Sequence, residues 1–112
     1  MLIYKILRAG ERAEFEAAGR TRGAPVDLAD GYIHFSTAAQ VAGTLARHFA
    51  HERGLWLLAV DADAAGAALR WEAARGGALF PHLYRPLVRE DVLWARPIAD
   101  GAEGPVAPEG LE

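Results

Sequence analysis

The fold of this chain is decided by the stretch Leu55-Trp56-Leu57-Leu58-Ala59-Val60. It is the longest apolar run in the sequence, and an extended strand built from it is apolar on both faces. A strand with no polar face must be covered on both sides, so the run predicts the central strand of a sheet. It falls far short of the ~20 residues that span a bilayer, so it predicts no membrane segment.

Shorter elements are predicted on either side of this strand. Alternating or apolar segments bounded by Gly and Pro predict strands at residues 2–7, 31–35, 69–73, 78–84 and 92–98. Residues 11–18 predict a short helix that ends at Gly19. Thr37 and Gln40 fit a capping box for a second helix, which runs from Ala38 to about His51. Residues 20–30 hold Gly and Pro without a sustained period, so they predict a loop.

This order of elements predicts the fold class and the domain boundaries. Mixed short strands with two main helices near the front of the chain indicate a small single α+β domain. Its sheet is expected to be twisted and mixed, mainly antiparallel. The domain is predicted at residues 1–100. Residues 101–112 contain three Gly, two Pro and three Glu, which predicts a flexible C-terminal tail.

The composition excludes several classes of function. Twelve basic and fifteen acidic side chains give a net charge of -3, which argues against nucleic acid or an anionic membrane as a partner. The chain contains no Cys, which excludes disulfides, thiolate catalysis and zinc–thiolate sites. The N-terminal residues lack the pattern of a signal peptide. We therefore expect a small, soluble, cytoplasmic protein.

Three of the predicted strands carry polar pairs on one face, because residues two apart in a strand point the same way. The polar residues on these faces are Tyr32, His34 and Ser36 in the first strand, Arg70 and Glu72 in the second, and His82 and Tyr84 in the third. If the three faces converge, they bring imidazole, carboxylate, guanidinium, phenol and hydroxyl groups together. Such a set suits a polar, phosphorylated or ribosylated small molecule.

Roles follow from the chemistry of each group. His34 and His82 are candidate acid–base catalysts near neutral pH, and Glu72 is a candidate base or a group that orients a hydroxyl. Arg70 is suited to pair with phosphate through two parallel hydrogen bonds. The remaining candidate ligand-binding residues are Ser36, Thr37 and Tyr84. The sequence identifies no cofactor and does not decide between an enzyme and a binding protein.

Two other interpretations remain open from the residues alone. His34, His82 and Glu72 have the residue types of a two-His, one-carboxylate metal site, although nothing in their spacing fixes a geometry. The same polar groups also fit a non-catalytic interaction module, in which they line a recognition groove or hydrogen-bond across the fold. A polar, solvated face is common in antiparallel sheets and by itself implies no function.

Three motifs in order resemble one bacterial and plant family, labelled domain of unknown function 952. They are Asp30-Gly31-Tyr32-Ile33-His34-Phe35-Ser36-Thr37, Leu69-Arg70-Trp71-Glu72 and Leu79-Phe80-Pro81-His82-Leu83-Tyr84-Arg85-Pro86. The resemblance extends over nearly the whole chain, from the first strand to the last. It implies no established activity.

The resemblance also implies a relationship of fold. The family is grouped with the ADP-ribosyltransferases, whose split, twisted sheets form a cleft for nicotinamide adenine dinucleotide. By this resemblance, His34 would meet the adenosine ribose, and Glu72 would orient the acceptor or the nicotinamide ribose. The implied ligand is thus a nucleotide or an ADP-ribose-like molecule, with transferase or hydrolase activity as the implied chemistry.

Overall fold

The secondary structure alternates short strands and short helices along the chain. The computed structural model describes residues 1–112, apart from the side chain of Arg75. The strands are β1 (Leu2–Leu7), β2 (Arg20–Thr21), β3 (Ile33–His34), β4 (Trp56–Asp61), β5 (Leu69–Ala73), β6 (Leu79–Leu83), β7 (Leu87–Val88), β8 (Val92–Pro97), β9 (Ala99–Gly101) and β10 (Gly104–Val106). The α-helices are α1 (Ala9–Ala18), α2 (Pro25–Asp30), α3 (Val41–His48) and α4 (Ala62–Ala65). Short 3-10 turns lie at Ala38–Gln40, Gly66–Ala68, Arg75–Gly77 and Arg89–Asp91. The α+β class is confirmed.

The apolar stretch at residues 55–60 forms the centre of the first sheet. β4 lies between β1 and β8, and both pairings are antiparallel. Successive residues of β4 enter two different cores: Leu57 and Ala59 belong to one, and Leu58 and Val60 to the other. Helix α3 covers the first face with Val41 and Leu45. The prediction of a central strand buried on both faces is therefore correct.

A second three-stranded sheet covers the other face. Its order is β3-β6-β5, again antiparallel. Ile33 and Leu83 stand opposite each other and pack into the core together with Leu58. A backbone bridge between Tyr4 of β1 and Ser36 connects the two sheets. This second sheet therefore has an apolar face toward the core and a face that carries the polar residues of β3, β5 and β6.

The prediction of a loop at residues 20–30 is wrong, because most of these residues lie in β2 and α2. Pro25 is the first residue of α2, where its fixed φ suits a helix and its missing N–H is not needed. Gly31 ends the helix with a left-handed φ of 85° and donates its N–H to the carbonyl of Asp27. Pro near the start and Gly after the end were the available signals, but the segment is too short to show a hydrophobic period.

The last residues of the chain, expected to form a flexible tail, have secondary structure and packing. β9 and β10 pair as an antiparallel hairpin. Ala107 and Leu111 pack against the apolar cluster beneath α3, and the hydroxyl of Tyr4 lies 3.2 Å from the amide nitrogen of Glu112. This segment is rich in Gly and Pro, but its few apolar side chains can still be buried against the core, which favours packing. Its flexibility stays a prediction.

None of the helices in the described chain combines the length and apolar character that crossing a bilayer requires.

Candidate functional site

Six side chains meet on the polar face of the second sheet, away from its apolar core face. His34, His82 and Arg70 stand opposite one another across β3, β6 and β5. Glu72 lies two residues beyond Arg70 on the same face of β5. We call this group the aromatic–histidine cluster; its members are Tyr32, His34, Arg70, Glu72, His82 and Tyr84. The period of two in each strand is what allowed five of them to be predicted.

The ring of Tyr32 lies at the centre of the cluster. Its centroid is 4.2 Å from that of His82, which it stacks on, 4.7 Å from His34 and 5.1 Å from Tyr84. The guanidinium carbon of Arg70 lies 4.7 Å from the centroid of Tyr84, a cation–π contact. Sequence reasoning placed Tyr32 on the same face as His34 but did not select it as a site residue.

Glu72 connects β5 to β6 through one of its oxygens. Oε1 accepts a hydrogen bond of 2.7 Å from the Tyr84 hydroxyl, and it lies 2.8 Å from Nδ1 of His82. Both hydrogen bonds lower the pKa of Glu72, and the bond from Tyr84 has the larger effect. The bond between Tyr84 and Glu72 also raises the pKa of the Tyr84 hydroxyl. An ionised carboxylate only accepts, so Nδ1 of His82 is the donor. Among the described residues Oε2 has no hydrogen-bond partner, which leaves it free to accept from a ligand hydroxyl.

His34 faces carboxylates through both of its ring nitrogens. Nδ1 lies 2.5 Å from Oδ1 of Asp27, and Nε2 lies 3.0 Å from Oδ2 of Asp30. The backbone N–H of His34 also donates to Asp27 Oδ1, at 3.0 Å. A histidine can donate to two acceptors at once only as the imidazolium. In this arrangement both N–H groups of His34 are directed at Asp27 and Asp30, so the ring is suited to act as a cation.

A buried ion pair supports His34 from behind. Asp27, whose side chain is fully buried, accepts from Nζ of Lys5 at 2.7 Å and from the backbone N–H of Ala24 at 2.8 Å. Burial acts to raise the pKa of Asp27, but the hydrogen bond from His34 and the charge of Lys5 outweigh it and lower the pKa to about 2. Asp27 therefore stays ionised and fixes the position of the His34 ring.

Sequence reasoning missed Lys5, Asp27 and Asp30. Lys5 lies in a predicted strand whose neighbours are apolar, and both aspartates lie in the segment predicted to be a loop. The one available signal for Asp27 was its position as the third residue of a helix that begins with Pro25, where a carboxylate can accept from the N-cap backbone.

The lowered pKa of Asp27 predicts a loss of stability in acid. The ordinary pKa of an aspartate is 3.8, and the pKa of Asp27 in the folded protein is about 2. The ionised carboxylate therefore stabilises the fold above pH 4, and this stabilisation is lost as the pH falls toward 2. Glu72 and Asp91, whose pKa values are also lowered, act in the same direction. We expect the free energy of unfolding, measured with urea, to be flat from pH 7 to pH 5 and to fall between pH 4 and pH 2. An unchanged value at pH 2.5 would contradict this assignment.

Ser36 and Thr37 lie apart from the cluster, although both were predicted to bind the ligand. Oγ of Ser36 is 2.9 Å from Oγ1 of Thr44 in α3, and the backbone N–H of Thr37 donates to the side chain of Gln40 at 3.0 Å. The strand phase put Ser36 with His34, but β3 ends at His34 and the chain then crosses to the first sheet. The structure thus engages both residues in the junction between the sheets and α3.

The metal site considered for His34, Glu72 and His82 has no support in the geometry. Within the described part of the chain, no group of three or more His, Asp and Glu side chains is arranged to hold a metal ion. The Nδ1 atom of each histidine already lies against a carboxylate, that of Asp27 for His34 and that of Glu72 for His82. The cluster is therefore held together by hydrogen bonds and ring packing.

Residues 6–95 match the family of proteins called "Protein of unknown function (DUF952)". The chain belongs to this family. No curated protein matches it. The three stretches at residues 30–37, 69–72 and 79–86, which carry the whole aromatic–histidine cluster, lie within the segment that matches DUF952.

Solved structures of a protein from Caulobacter crescentus, CC0527, are similar to this DUF952 chain. Its crystal structure is 48% identical, with a TM-score of 0.91 over 95% of this chain and 94% of that one. The crystal structure of a double-methionine variant gives 47% identity and the same TM-score and coverage. The solution structure gives 48% identity and a TM-score of 0.83 over 93% of this chain and 90% of that one. All three come from a structural-genomics programme.

Proposed function

We propose that the aromatic–histidine cluster binds a nucleotide or an ADP-ribose-like small molecule. The observation that carries this proposal is the combination, on one sheet face, of packed rings, a guanidinium and a carboxylate oxygen with no partner in the described structure. Tyr84 and the Glu72 side chain are 38% and 37% exposed, so both are accessible to a ligand. The three groups correspond to the three parts of a nucleotide.

Each part of a nucleotide has a matching group in the cluster. The rings of Tyr32 and Tyr84 offer faces on which a base can stack, a contact worth about 1–3 kcal/mol. Oε2 of Glu72 can accept from a ribose hydroxyl, and a charge-assisted bond of this kind is stronger than a neutral one. Arg70 is exposed and can pair with a phosphate oxygen. A ligand that contains a base, a ribose and a phosphate can therefore contact more of the cluster than any one of these three parts alone.

We further propose transferase or hydrolase chemistry at this surface. His34, held between Asp27 and Asp30, is suited as a cation to stabilise negative charge on a leaving group, and Glu72 is suited to orient a hydroxyl through Oε2. A split-sheet relationship to the ADP-ribosyltransferases belongs to the same proposal. Its support is that two antiparallel sheets meet at the bridge between Tyr4 and Ser36. A complex with ADP-ribose in which the ligand makes no contact with the polar face of the second sheet would contradict this proposal.

In this proposal the protein binds a small molecule and is located in the cytoplasm. A net charge of -3 does not favour a nucleic acid or an anionic membrane, since both attract basic surfaces. The lack of Cys fits a compartment in which disulfides do not form.

A two-dimensional amide NMR titration with ADP-ribose and nicotinamide adenine dinucleotide tests the proposal. We expect shifts at residues 32–34, 70–72 and 82–84, and a dissociation constant that rises roughly 5- to 150-fold in Tyr32→Ala, from the loss of one stacked ring. Trp71→Ala is the control, because Trp71 is 39% exposed and points to the opposite face of β5. No shifts at millimolar ligand, or equal weakening in both variants, would overturn the proposal.

One observation favours the alternative of a non-catalytic interaction module. The His82 side chain is nearly buried and makes its hydrogen bond within the protein, as a structural residue would. If the Glu72–His82 pair only holds β5 to β6, Glu72→Ala should lower the melting temperature by several degrees, because it leaves a buried donor unpaired. A binding site instead predicts an unchanged or raised melting temperature with loss of ligand shifts. Thermal melts of Glu72→Ala beside the titration distinguish the two.

A further inference from the structure

A small pocket opens directly beside the aromatic–histidine cluster. Its volume is about 100 Å³, enough for about three water molecules. The pocket is lined by Tyr32, a member of the cluster, and by Asp27, the carboxylate that positions His34. Its lining also includes Arg22, Gly31 and Arg85. A group of phosphate size bound there would lie next to a ring of the cluster.

Arg22 brings an uncompensated positive charge to this pocket. Its side chain forms no ion pair, hydrogen bond or ring contact with any residue that the structure describes. The other charges of the lining are paired: Asp27 with Lys5 at 2.7 Å, and Arg85 with Asp91 through bonds of 2.8 and 3.0 Å. The net charge of the lining is therefore positive, which favours an anion.

Arg85 is held rigidly and keeps donors for a ligand. Nη1 donates to Asp91 and to the carbonyl of Pro86, and Nη2 donates to Asp91 once. A guanidinium has five N–H groups, so Nε–H and one Nη2–H remain unused. A fixed guanidinium loses little conformational entropy when it binds a phosphate oxygen.

The segment that carries Arg22 is also fixed in place. The N–H of Gly23 donates to Oγ1 of Thr21 at 2.9 Å, and the N–H of Ala24 donates to Asp27 at 2.8 Å. Gly23 has a left-handed φ of 99°, and a Cβ at this position would lie 2.1 Å from Oδ2 of Asp27. The backbone around Arg22 therefore wraps closely around the same carboxylate that positions His34.

We propose that this pocket is a second phosphate subsite, in addition to Arg70, for the ligand that the aromatic–histidine cluster binds, with Arg22 and Arg85 as its contacts. The inference rests on the proposed function and narrows its ligand to molecules with a phosphate or diphosphate group next to the ribose. Tyr32 lies between the two parts of the site, since its ring packs on His82 and its residue lines the pocket.

The test compares Arg22→Ala with Arg20→Ala in NMR titrations with pyrophosphate, adenosine and ADP-ribose. Arg20 is the matched control, because it is an exposed arginine on β2, two residues before Arg22, and does not line the pocket. We expect pyrophosphate alone to shift the amides of residues 22 and 31, and ADP-ribose to bind more tightly than adenosine. In Arg22→Ala we expect ADP-ribose to bind roughly 10- to 100-fold more weakly, as for a lost hydrogen bond to a charged group, with adenosine unchanged.

The outcomes separate this inference from the proposed function. If wild-type protein binds ADP-ribose at the cluster and Arg22→Ala binds it equally well, the subsite is overturned and the proposed function stands. If adenosine and ADP-ribose leave residues 70–72 and 82–84 unshifted, the proposed function fails. The subsite is then overturned as well, and pyrophosphate shifts at residues 22 and 31 would show only an anion site separate from the cluster. An effect of Arg20→Ala equal to that of Arg22→Ala overturns the subsite, because it shows only general electrostatic attraction.

Discussion

Asp27→Asn is expected to lower the free energy of unfolding by about 3–5 kcal/mol, the cost of leaving one partner of a buried ion pair alone. Asp27 is fully buried and the side chain of Lys5 is 7% exposed, so the substitution leaves the amine of Lys5 buried without its carboxylate partner. For a domain of this size such a loss corresponds to a fall in melting temperature of roughly 12–20 °C. Urea unfolding monitored by circular dichroism measures it directly.

Two further variants isolate the cause. Asp63→Asn removes a carboxylate that is 92% exposed and 3.7 Å from the N-terminal amine, and it should change the free energy of unfolding by no more than about 0.5 kcal/mol. The double variant Lys5→Met, Asp27→Asn should recover part of the loss, because it removes the unpaired charge. An Asp27→Asn variant as stable as Asp63→Asn would show that the buried pair between β1 and α2 does not stabilise the fold.

Gly23→Ala is expected to lower the free energy of unfolding by about 2–5 kcal/mol, the sum of backbone strain and overpacking. The φ of Gly23 is +99°, which side chains rarely adopt. Its new Cβ would also lie 2.1 Å from Oδ2 of Asp27, the atom that accepts from Lys5 and from Ala24. Chemical denaturation measures the loss, and the His34 resonances should shift because Asp27 also holds that ring.

Gly31→Ala is the matched control for this substitution. Gly31 has a similar φ of +85°, but no atom lies within 4 Å of the place where its Cβ would stand. Only the backbone strain remains, about 1–2 kcal/mol. If the two variants are equally stable, the close approach of Gly23 to Asp27 has no energetic weight, and the fixed position of Arg22 loses its support.

The strand phases of the candidate site could be predicted from the sequence because they depend only on a period of two. Arg70 and Glu72 share a face of β5, and His82 and Tyr84 both contact Glu72. These pairs require that each segment be extended, and nothing further. Short-range patterns are sufficient for that, even with Pro81 inside β6.

The burial of individual side chains was predicted less well. Trp71 lies on the same face of β5 as the core residue Leu69, yet it is 39% exposed. Leu69 packs on the core, while Trp71, two residues further on the same face of β5, does not. Exposure at this position depends on which other elements pack over it, which the period of two does not encode.

Local patterns were enough to predict the central strand at residues 55–60, the α+β class, and the polar pairs of β5 and β6, because periodicity and hydrophobicity act locally along the chain. The network of Lys5, Asp27 and His34 depends on the three-dimensional packing of the chain. Their side chains come from β1, α2 and β3, and a buried charge is stable only where a partner from another element reaches it. The site is therefore assembled by long-range electrostatics on a frame that local hydrophobic patterns predict.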